Sequence, residues 1–373
     1  MNVLHYSKFY PPVFGGIEKV AFDLVEGMVK NGVTCDVLCF NSDRSDITEQ
    51  SASGYRIIRT GIFATLASTP LSLANIRQFV RMADDYDVIH IHMPNPVANL
   101  AVFLARPKKA RIVLHWHSDI VKQKTILKLY DPLQQWLLRR ADAVIATSPP
   151  YAESSPWLQA YAEKVAVIPL GVDVSGIPSD PLIVDEIKRE YGGRKLVFSL
   201  GRLVYYKGFD YLIDAASRLP DDVAVVIGGI GELEGALREK LASLKLENKV
   251  YLIGGIPFKK LGAYFKACDV FCLPSLERSE AYGVVQMEAM YFGKPVVSTS
   301  IPGSGVGWVN ENNVSGQVVP PGDSLALSNS LDLILRDESL RLKLGEGARR
   351  RYDELFVVDK MVGLTVDLYQ KVL

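Results

Sequence analysis

The sequence predicts an α/β protein made of two Rossmann-like domains. Its 373 residues are too many for one ordinary core, so two domains of about 150–200 residues are expected. Short apolar runs of strand type alternate with segments of helical periodicity, which is the pattern of parallel sheets covered by helices. Apolar residues make up 48% and charged residues 23%, as in a globular protein, and a formal net charge of zero gives no case for a nucleic-acid binder.

The first domain opens with a strand, a glycine pair and a helix. Val3–Tyr6 is the strand, Gly15 and Gly16 lie in the loop, and the helix starts at Ile17 and ends near Asn31. Paired glycines allow a phosphate to approach the backbone at a helix start. This is not a P-loop, because no Gly-Lys-Ser/Thr follows. A turn that needs positive φ explains the glycines equally well.

Two histidines follow the strand Arg111–Leu114. His115 and His117, with Ser118 and Asp119, therefore lie at the carboxyl edge of the predicted sheet, where ligands bind. One such histidine alone is usually packed or solvated. The grouping leaves a functional role and a structural one equally open.

Four cysteines lie in two strand-like pieces, as Cys35, Cys39, Cys268 and Cys272. A zinc site needs closer spacing and more partners, so buried, reduced core thiols are predicted, which suits a cytoplasmic protein. Residues 1–10 show no apolar signal core, and no apolar run reaches about 18 residues. Neither export nor a membrane span is therefore expected.

Residues 106–140 combine basic side chains with interleaved Leu, Tyr and Trp. This pattern suits peripheral contact with an anionic membrane, while an ordinary amphipathic helix with a charged outer face explains it as well. The basic residues of this basic segment are Arg106, Lys108, Lys109, Arg111, Lys122, Lys124, Lys128, Arg139 and Arg140.

In the second domain, two cations follow the strand Leu196–Leu200. Arg202 and Lys207 converge on the carboxyl edge, where they can hold a diphosphate leaving group. Solvated loop cations are the alternative. Further on, residues 228–235 imitate a dinucleotide fingerprint, but the third glycine is one residue late and no suitable acid follows.

The most informative stretch reads strand, loop, helix, strand. Val270–Leu273 and Val296–Ser300 are the strands and Val284–Tyr291 is the helix, with Glu280 in the loop and Glu288 inside the helix. The amides at the helix start favour a phosphate. The second carboxylate lies roughly 8 Å along the helix, so the two glutamates would contact different hydroxyl-rich parts of one elongated ligand.

This stretch resembles the nucleotide-sugar loop of a known enzyme family. Pro-Ser-x3-Ser-Glu-Ala-Tyr-Gly-x3-Met-Glu-Ala-Met-x2-Gly-Lys-Pro-Val-Val is similar to the E-x7-E loop of retaining GT-B glycosyltransferases of family 4. Pro-x2-Gly-Gly-x-Glu, the histidine stretch and Gly-Arg-x4-Lys-Gly also resemble the family, in the family's order and over nearly the whole chain.

The resemblance implies a GT-B architecture, with two Rossmann-like domains and a ligand cleft between them. Residues 1–175 would bind the acceptor and residues 190–354 the nucleotide sugar. The resemblance also implies that a C-terminal helix at about 355–373 packs back on the first domain. Independently of it, the segment 174–195 is expected to be a linker because of its glycines and prolines, Gly176, Pro178, Pro181, Gly192 and Gly193.

Site residues are implied by the same resemblance. The implied catalytic residues are Glu280, His117, Arg202 and Lys207. The implied donor-binding residues are Gly15, Gly16, Arg202, Lys207, Ile256, Glu280, Ala281, Tyr282, Gly283, Val284 and Glu288. Neither a cofactor nor a metal ion is expected, because the D-x-D pair Asp85 and Asp87 precedes a strand and so lies at the amino edge of the sheet.

The expected reaction is retaining, metal-independent hexosyl transfer. The His-Ser-Asp and Trp-Val-Asn runs look similar to bacterial O-antigen and polysaccharide mannosyltransferases, which implies GDP-mannose as donor and a lipid-diphosphate-linked sugar as acceptor, at the cytoplasmic face of the inner membrane. A UDP-hexose or UDP-N-acetylhexosamine donor is the alternative. An NAD-dependent oxidoreductase and a nucleotide-sugar-binding protein without catalysis are more remote alternatives.

Overall fold

The computed structural model of the chain describes residues 1–13, 15–66, 69–120 and 124–373, with the side chains of residues 124–129 outside the description. The chain divides into two compact units. Unit 1 comprises Met1–Val172 with Val357–Leu373, and unit 2 comprises Asp173–Phe356. Each unit has its own predominantly parallel sheet, so the predicted α/β class with two Rossmann-like domains is confirmed.

The elements of both units are numbered along the whole chain. The strands of unit 1 are β1 (Asn2–Tyr6), β2 (Thr34–Phe40), β3 (Ile47–Gln50), β4 (Arg56–Thr60), β5 (Ala64–Leu66), β6 (Thr69–Leu71), β7 (Val88–Met93), β8 (Arg111–Trp116), β9 (Ala143–Ala146) and β10 (Val165–Val167). Its helices are α1 (Gly16–Lys30), α2 (Leu73–Met82), α3 (Pro96–Ala105), α4 (Lys124–Arg140), α5 (Pro149–Ser154), α6 (Pro156–Gln159) and, at the C-terminus, α15 (Val358–Val372).

The sheet of unit 1 has the order β10-β9-β8-β7-β1-β2-β4-β3. All neighbours are parallel except β3, which pairs antiparallel with β4 at the edge. The strand order reverses at β1, because β2 lies on one side of it and β7 on the other. Such a switch point opens a ligand crevice at the carboxyl ends of the strands. The glycine pair after β1 and the histidines of the neighbouring strands therefore belong to the same edge.

The C-terminal helix α15 packs against α1 within unit 1. A glycine makes the close approach possible, since a Cβ on Gly27 would lie 2.6 Å from Cγ2 of Val362. On the sheet itself, β1 is buried from Val3 to Tyr6. Burial on both faces explains why its sequence is nearly continuous in apolar residues rather than alternating.

Unit 2 follows the same plan with fewer strands. Its strands are β11 (Lys195–Leu200), β12 (Val223–Gly228), β13 (Val250–Gly254), β14 (Val270–Leu273), β15 (Val296–Thr299) and β16 (Gly316–Val319). Its helices are α7 (Pro181–Glu190), α8 (Phe209–Ala216), α9 (Glu234–Leu244), α10 (Phe258–Ala267), α11 (Val284–Tyr291), α12 (Val306–Val309), α13 (Ser324–Arg336) and α14 (Glu338–Leu355).

The sheet of unit 2 is wholly parallel, in the order β13-β12-β11-β14-β15-β16. The chain fills one side of β11 first and then crosses to β14 on its other side. The switch point therefore lies between β11 and β14, and the loops that follow these two strands share one crevice.

The prediction of a linker over 174–195 is wrong in part. Residues Pro181–Glu190 of this segment form helix α7, which packs against α10. Asp180 caps the helix by accepting a hydrogen bond from the Leu182 amide, and Val184 and Ile187 are buried. The proline that favoured a linker occupies the first helical position, where its missing N–H costs nothing.

The prediction of buried core thiols is confirmed. All four cysteines are reduced and buried. Burial raises the pKa of the Cys35, Cys39 and Cys268 thiols to about 12, so these side chains remain uncharged at neutral pH.

Candidate active site

An ion pair between Lys207 and Glu280 occupies the switch point of unit 2. Lys207 follows β11 and Glu280 follows β14, which are neighbours through the register pair Phe198↔Phe271. The Lys207 ammonium lies 2.5 Å from a Glu280 carboxylate oxygen, and the two side chains are only 11% and 12% exposed. The fold thus joins two of the sequence-predicted site residues into one largely buried charged pair.

Serine side chains hold the loop that carries Glu280. The Ser275 hydroxyl donates to the paired Glu280 carboxylate oxygen at 3.1 Å, and the Ser304 hydroxyl donates to the Glu280 backbone carbonyl at 2.5 Å. The Gly305 amide donates to the Ala281 carbonyl at 2.7 Å. Glu280 and Ala281 are therefore fixed to the loop that follows β15.

Glycines bring the Lys207 loop close to its neighbours. Lys207 ends a 3₁₀ turn (Tyr205–Lys207), and Gly208 follows with a φ of 67°. A Cβ on Gly208 would collide with the Pro274 carbonyl oxygen, and one on Gly201 would lie 3.2 Å from Cε of Lys207. Gly208 is thus needed for the loops after β11 and β14 to approach each other, while Gly201 leaves room for the Lys207 side chain within its own loop.

Arg202 lies in the same loop but is not part of the buried pair. Its side chain is exposed, and its guanidinium donates to the Tyr206 hydroxyl at 3.1 Å. The loop rests on the glycine-rich turn after β12, where Gly229 has a φ of 136° and would clash with the Gly201 carbonyl if it carried a Cβ. The imitation of a dinucleotide fingerprint is therefore explained by backbone packing.

Helix α11 begins at the edge of this crevice. Its N-cap, Gly283, has a φ of 74° and makes no side-chain cap hydrogen bond. The first helical residue, Val284, is half-buried, as is Glu288 one turn later on the same face. The free amides of a helix start without a side-chain cap are favourable for an anion.

The remaining predicted residues of unit 2 line the same edge. Tyr282 is 4% exposed and its ring lies 6.3 Å from the ring of Trp308. Ile256 is half-buried after β13, and its side chain covers Gly228 at the end of β12.

In unit 1, the glycine pair forms the start of helix α1. Gly15 is its N-cap and has an extended backbone, with no side-chain cap, and Gly16 is the first helical residue. Both are exposed. The predicted helix start at Ile17 is thus one residue late, while the predicted end near Asn31 agrees with the C-cap.

His117 belongs to a larger group of imidazoles. All five histidines of the chain, on β1, β7 and just at the end of β8, lie together on the sheet of unit 1. This histidine cluster consists of His5, His90, His92, His115 and His117. Burial lowers the pKa of every member, to about 3 for His92, so the cluster is uncharged at neutral pH.

Three members of this cluster were not found from the sequence. His5, His90 and His92 stand in apolar strands and have no motif of their own. Their spacing could have revealed them, because histidines two residues apart on adjacent parallel strands lie on one face of the sheet. That inference required the strand order, which the sequence does not reveal.

Asp119 has a structural role in this loop. Its carboxylate accepts hydrogen bonds from the Trp116 indole and the Ser155 hydroxyl, both at 2.8 Å. Its backbone amide donates to the Tyr151 hydroxyl at 2.5 Å. These contacts fix the loop that begins at His117.

The residues able to hold a metal ion, among those the structure describes, are two trios within the histidine cluster. Their nitrogen atoms lie within 4.8 Å of one another in each trio, His5, His90 and His92 in one, His92, His115 and His117 in the other. The D-x-D pair is elsewhere. As predicted, Asp87 lies at the amino end of β7, where it accepts a hydrogen bond from the Asn2 amide at 2.7 Å.

The basic segment 106–140 is only partly described, since Lys122 and the side chains of Lys124 and Lys128 lie outside the described residues. Two of its arginines are engaged internally, because Arg111 and Arg140 both pair with Asp142, at 3.2 and 3.1 Å. Lys108 and Lys109 are exposed.

Comparison with known proteins identifies the family of the chain. Residues 183–351 match the family model "Glycosyl transferases group 1", and residues 14–175 match "Glycosyltransferase Family 4". O-antigen chain mannosyltransferase C of Escherichia coli is 37% identical over 100% of this chain and 99% of its own length. The chain belongs to glycosyltransferase family 4.

A second relative of this glycosyltransferase is the D-rhamnosyltransferase WbpZ of Pseudomonas aeruginosa, 34% identical over 95% of this chain and 92% of the relative. Solved structures support the GT-B fold. Sucrose-phosphate synthase from Thermosynechococcus elongatus superposes with a TM-score of 0.82 at 21% identity, covering 100% of this chain and 98% of that one. Anabaena HepE in complex with UDP-glucose gives 0.76 at 22% identity, with both chains fully covered.

The described part of this glycosyltransferase contains no helix that is both long enough and apolar enough to cross a membrane.

Proposed function

We propose that this glycosyltransferase is a retaining, metal-independent enzyme that transfers α-mannose from GDP-mannose to a lipid-linked oligosaccharide in O-antigen or exopolysaccharide synthesis. The observation that carries the proposal is the Lys207–Glu280 pair, which lies at the switch point of unit 2 and joins the two predicted loops. The name of the 37% identical relative supports the sugar and the pathway class.

The leaving group is the first chemical problem. Breaking a glycosyl–diphosphate bond builds negative charge on the phosphate oxygen while the sugar approaches an oxocarbenium ion. Arg202, Lys207, the Gly15 and Gly16 amides and the start of α11 stabilise that charge, and such fixed cations and dipoles are usually the largest contribution to catalysis. Before the donor binds, Glu280 neutralises Lys207 and so limits the cost of keeping this cation buried.

Orientation of the donor is the second problem. Glu280 and His117 contact the sugar, and Glu288 contacts the ribose hydroxyls, with Ile256, Ala281, Tyr282, Gly283 and Val284 completing the pocket. No carboxylate is assigned as a covalent nucleophile. The acceptor attacks from the face that the diphosphate leaves, and the leaving phosphate takes the acceptor proton, so the anomeric configuration is retained.

The second candidate differs only in the sugar. The relative from Pseudomonas aeruginosa is named a D-rhamnosyltransferase, and it covers nearly the whole chain. Transfer of D-rhamnose from its GDP-linked donor is therefore the alternative.

A ligand panel tests the donor. The melting temperature of the protein is measured with GDP-mannose, GDP-rhamnose, UDP-glucose, UDP-N-acetylglucosamine, GDP, UDP and NAD, each with and without EDTA. Selective stabilisation by GDP and GDP-mannose that EDTA leaves unchanged is expected, because a ligand that binds the native state raises its stability. Stabilisation by uridine nucleotides alone contradicts the donor, and stabilisation by NAD alone contradicts the enzyme class.

A lipid-linked acceptor requires access to a membrane surface, which we assign to the basic segment. Removing the exposed Lys108 and Lys109 should weaken binding to anionic vesicles at low salt by roughly tenfold or more, since each basic residue near such a surface contributes about 1 kcal/mol. Lys259 and Lys260 form a matched control, because they are an adjacent, exposed pair in unit 2. Equal loss in both double variants, or none in either, contradicts the assignment.

A further inference from the structure

Three histidines form a continuous row across the sheet of unit 1. His5 lies on β1, His92 on β7 and His117 directly after β8. His5 Nδ1 lies 3.4 Å from His92 Nε2, and His92 Nδ1 lies 3.0 Å from His117 Nε2. Each contact thus joins the Nδ1 of one ring to the Nε2 of the next, and the row ends at the carboxyl edge of the sheet.

The rings of this row meet edge to edge. Their centroids are 5.7 Å apart for His5 and His92 and 5.2 Å apart for His92 and His117, with interplanar angles of 30° and 12°. These separations equal the nitrogen–nitrogen distances plus one ring radius at each end, so both contacts lie nearly in the plane of the rings. This is the geometry of N–H···N hydrogen bonds.

A row of neutral imidazoles can point in only one of two directions. Each neutral ring has one N–H and one lone pair, so the tautomer of one ring fixes the tautomer of the next. If the row donated toward His5, then His5 Nε2 would carry a hydrogen, and if it donated toward His117, then His117 Nδ1 would carry one.

The buried end of the row decides the direction. His5 is fully buried, and its Nε2 has no hydrogen-bond partner among the described residues. A hydrogen on this atom would be a buried donor without an acceptor, which is costly and rarer in proteins than an unpaired acceptor. The unpaired atom is therefore a lone pair, and His5 donates through Nδ1.

We infer that His5 and His92 are positioning residues that hold His117 as the Nδ1–H tautomer. His92 occupies Nε2 of His117, which leaves Nδ1 as the nitrogen for a ligand, and His117 is the most exposed member of the cluster at 5%. His117 then acts as a hydrogen-bond donor to a ligand oxygen and cannot serve as a base through Nδ1. That the oxygen belongs to the donor sugar rests on the proposed function, whereas the tautomer does not.

The second row in the cluster offers a matched control. The Tyr369 hydroxyl lies 2.5 Å from His90 Nδ1, and His90 Nε2 lies 3.1 Å from His115 Nδ1. This row contacts His117 only by face-to-face stacking of the His115 ring, at a centroid distance of 4.1 Å. His90 is therefore as buried as His92 and two residues from it on the same strand, but it has no hydrogen bond to His117.

The test is nitrogen-15 NMR of the full-length, histidine-labelled protein without substrate. Long-range proton–nitrogen correlations distinguish the two tautomers of each of the five imidazoles, and the His117→Ala variant assigns the His117 signals. The expected result is an Nδ1–H tautomer for His117. An Nε2–H tautomer in the unmodified protein overturns the inference without need of any variant.

Variants at His92 test the link itself. In His92→Leu the donor to His117 is lost, so His117 should exchange between its tautomers, while His90→Leu should leave its signals in the Nδ1–H pattern. His92→Asn should restore that pattern, because the asparagine amide can donate from a position close to Nδ1. An unchanged Nδ1–H pattern in His92→Leu overturns the inference.

A bound metal is the competing explanation, since His92, His115 and His117 could also share an ion. A spectrum that changes when EDTA is added would show that a metal, rather than a proton, joins the rings. Because the spectra need no sugar nucleotide, failure of the tautomer assignment is distinguishable from failure of the proposed donor. If both hold, His92→Leu should raise KM for GDP-mannose more than it lowers kcat, and His90→Leu should not.

Discussion

The two units place opposite kinds of polar group at equivalent edges of their sheets. In unit 2, the switch point holds a charged pair, Lys207 and Glu280, at 2.5 Å and nearly withdrawn from solvent. In unit 1, five neutral imidazoles lie in two rows with N···N contacts of 3.0–3.4 Å, and one row leads to the corresponding edge at His117. One edge is organised by a pair of opposite charges, and the other by the tautomers of uncharged imidazoles.

The proposed reaction requires both kinds of polar group. A diphosphate carries its charge before and after bond cleavage, so a cation is needed to bind it and to stabilise the charge that develops. A sugar has only hydroxyl groups, which are recognised by directed hydrogen bonds, and a histidine of fixed tautomer supplies one without bringing a charge. Lys207 and His117 therefore represent the two halves of the proposed division of labour.

The largest expected effect comes from the charged edge. Replacing Glu280 by Gln removes the carboxylate that pairs with Lys207 and that we propose contacts the sugar, so turnover with GDP-mannose should fall by about 100-fold or more. The folded structure should persist, because the amide can still accept a hydrogen bond from Ser275 and from Lys207.

The matched control is Glu277→Gln, an exposed carboxylate of the same loop that accepts a hydrogen bond from the Tyr205 hydroxyl. It should retain near-normal kcat. Full activity in Glu280→Gln, measured as steady-state mannosyl transfer, would remove Glu280 from the mechanism.

The buried histidines of unit 1 should make the free energy of unfolding depend on pH. Burial lowers the pKa of His92 to about 3 in the folded protein, against an ordinary value of 6.5. Between these two pH values the unfolded chain binds more protons than the native protein. The free energy of unfolding is therefore unaffected by His92 above pH 6.5 and decreases as the pH falls below it.

Chemical denaturation at a series of pH values between neutral and acid checks this. The free energy of unfolding should decline as the pH falls below the ordinary histidine pKa of 6.5, with a maximum slope of about 1.4 kcal/mol per pH unit for each histidine. The His92→Asn variant should have a shallower slope. Equal slopes in both proteins would mean that His92 titrates normally in the native state.

Part of this account was predictable from the sequence, and the part that was not depended on strand order. The helix Val284–Tyr291 was predicted with the observed bounds, because an apolar run, a loop and a Gly-Lys-Pro stop delimit it locally. The contact of Lys207 with Glu280 could not be predicted, since these residues are brought together only by the pairing of β11 with β14.

The same reason explains the missed histidines and the missed helix. His5 and His92 were individually ordinary strand residues until β1 and β7 became neighbours. Helix α7 was hidden by Pro181, since proline was interpreted as a breaker although it begins this helix.

A smaller effect tests how tightly the charged edge is held. Ala at Gly208 must adopt a φ of 67° and would place its Cβ against the Pro274 carbonyl oxygen. Left-handed strain costs roughly 1–2 kcal/mol, and the collision should add to it and displace Lys207. Gly192→Ala is the control, because Gly192 has a φ of 68° but a Cβ there would meet no atom within 4 Å. Both variants should melt earlier, with the larger shift and a weaker GDP affinity in Gly208→Ala alone.

The division of labour between the two edges is tested most directly by calorimetric titration of GDP and of GDP-mannose into two variants, Lys207→Met and His117→Ala. If the charged edge binds the diphosphate, Lys207→Met loses affinity for both ligands by a similar factor. If the neutral edge binds the sugar, His117→Ala keeps the normal affinity for GDP and loses affinity only for GDP-mannose. Equal losses for GDP in the two variants, or a normal GDP affinity in Lys207→Met, would contradict the account.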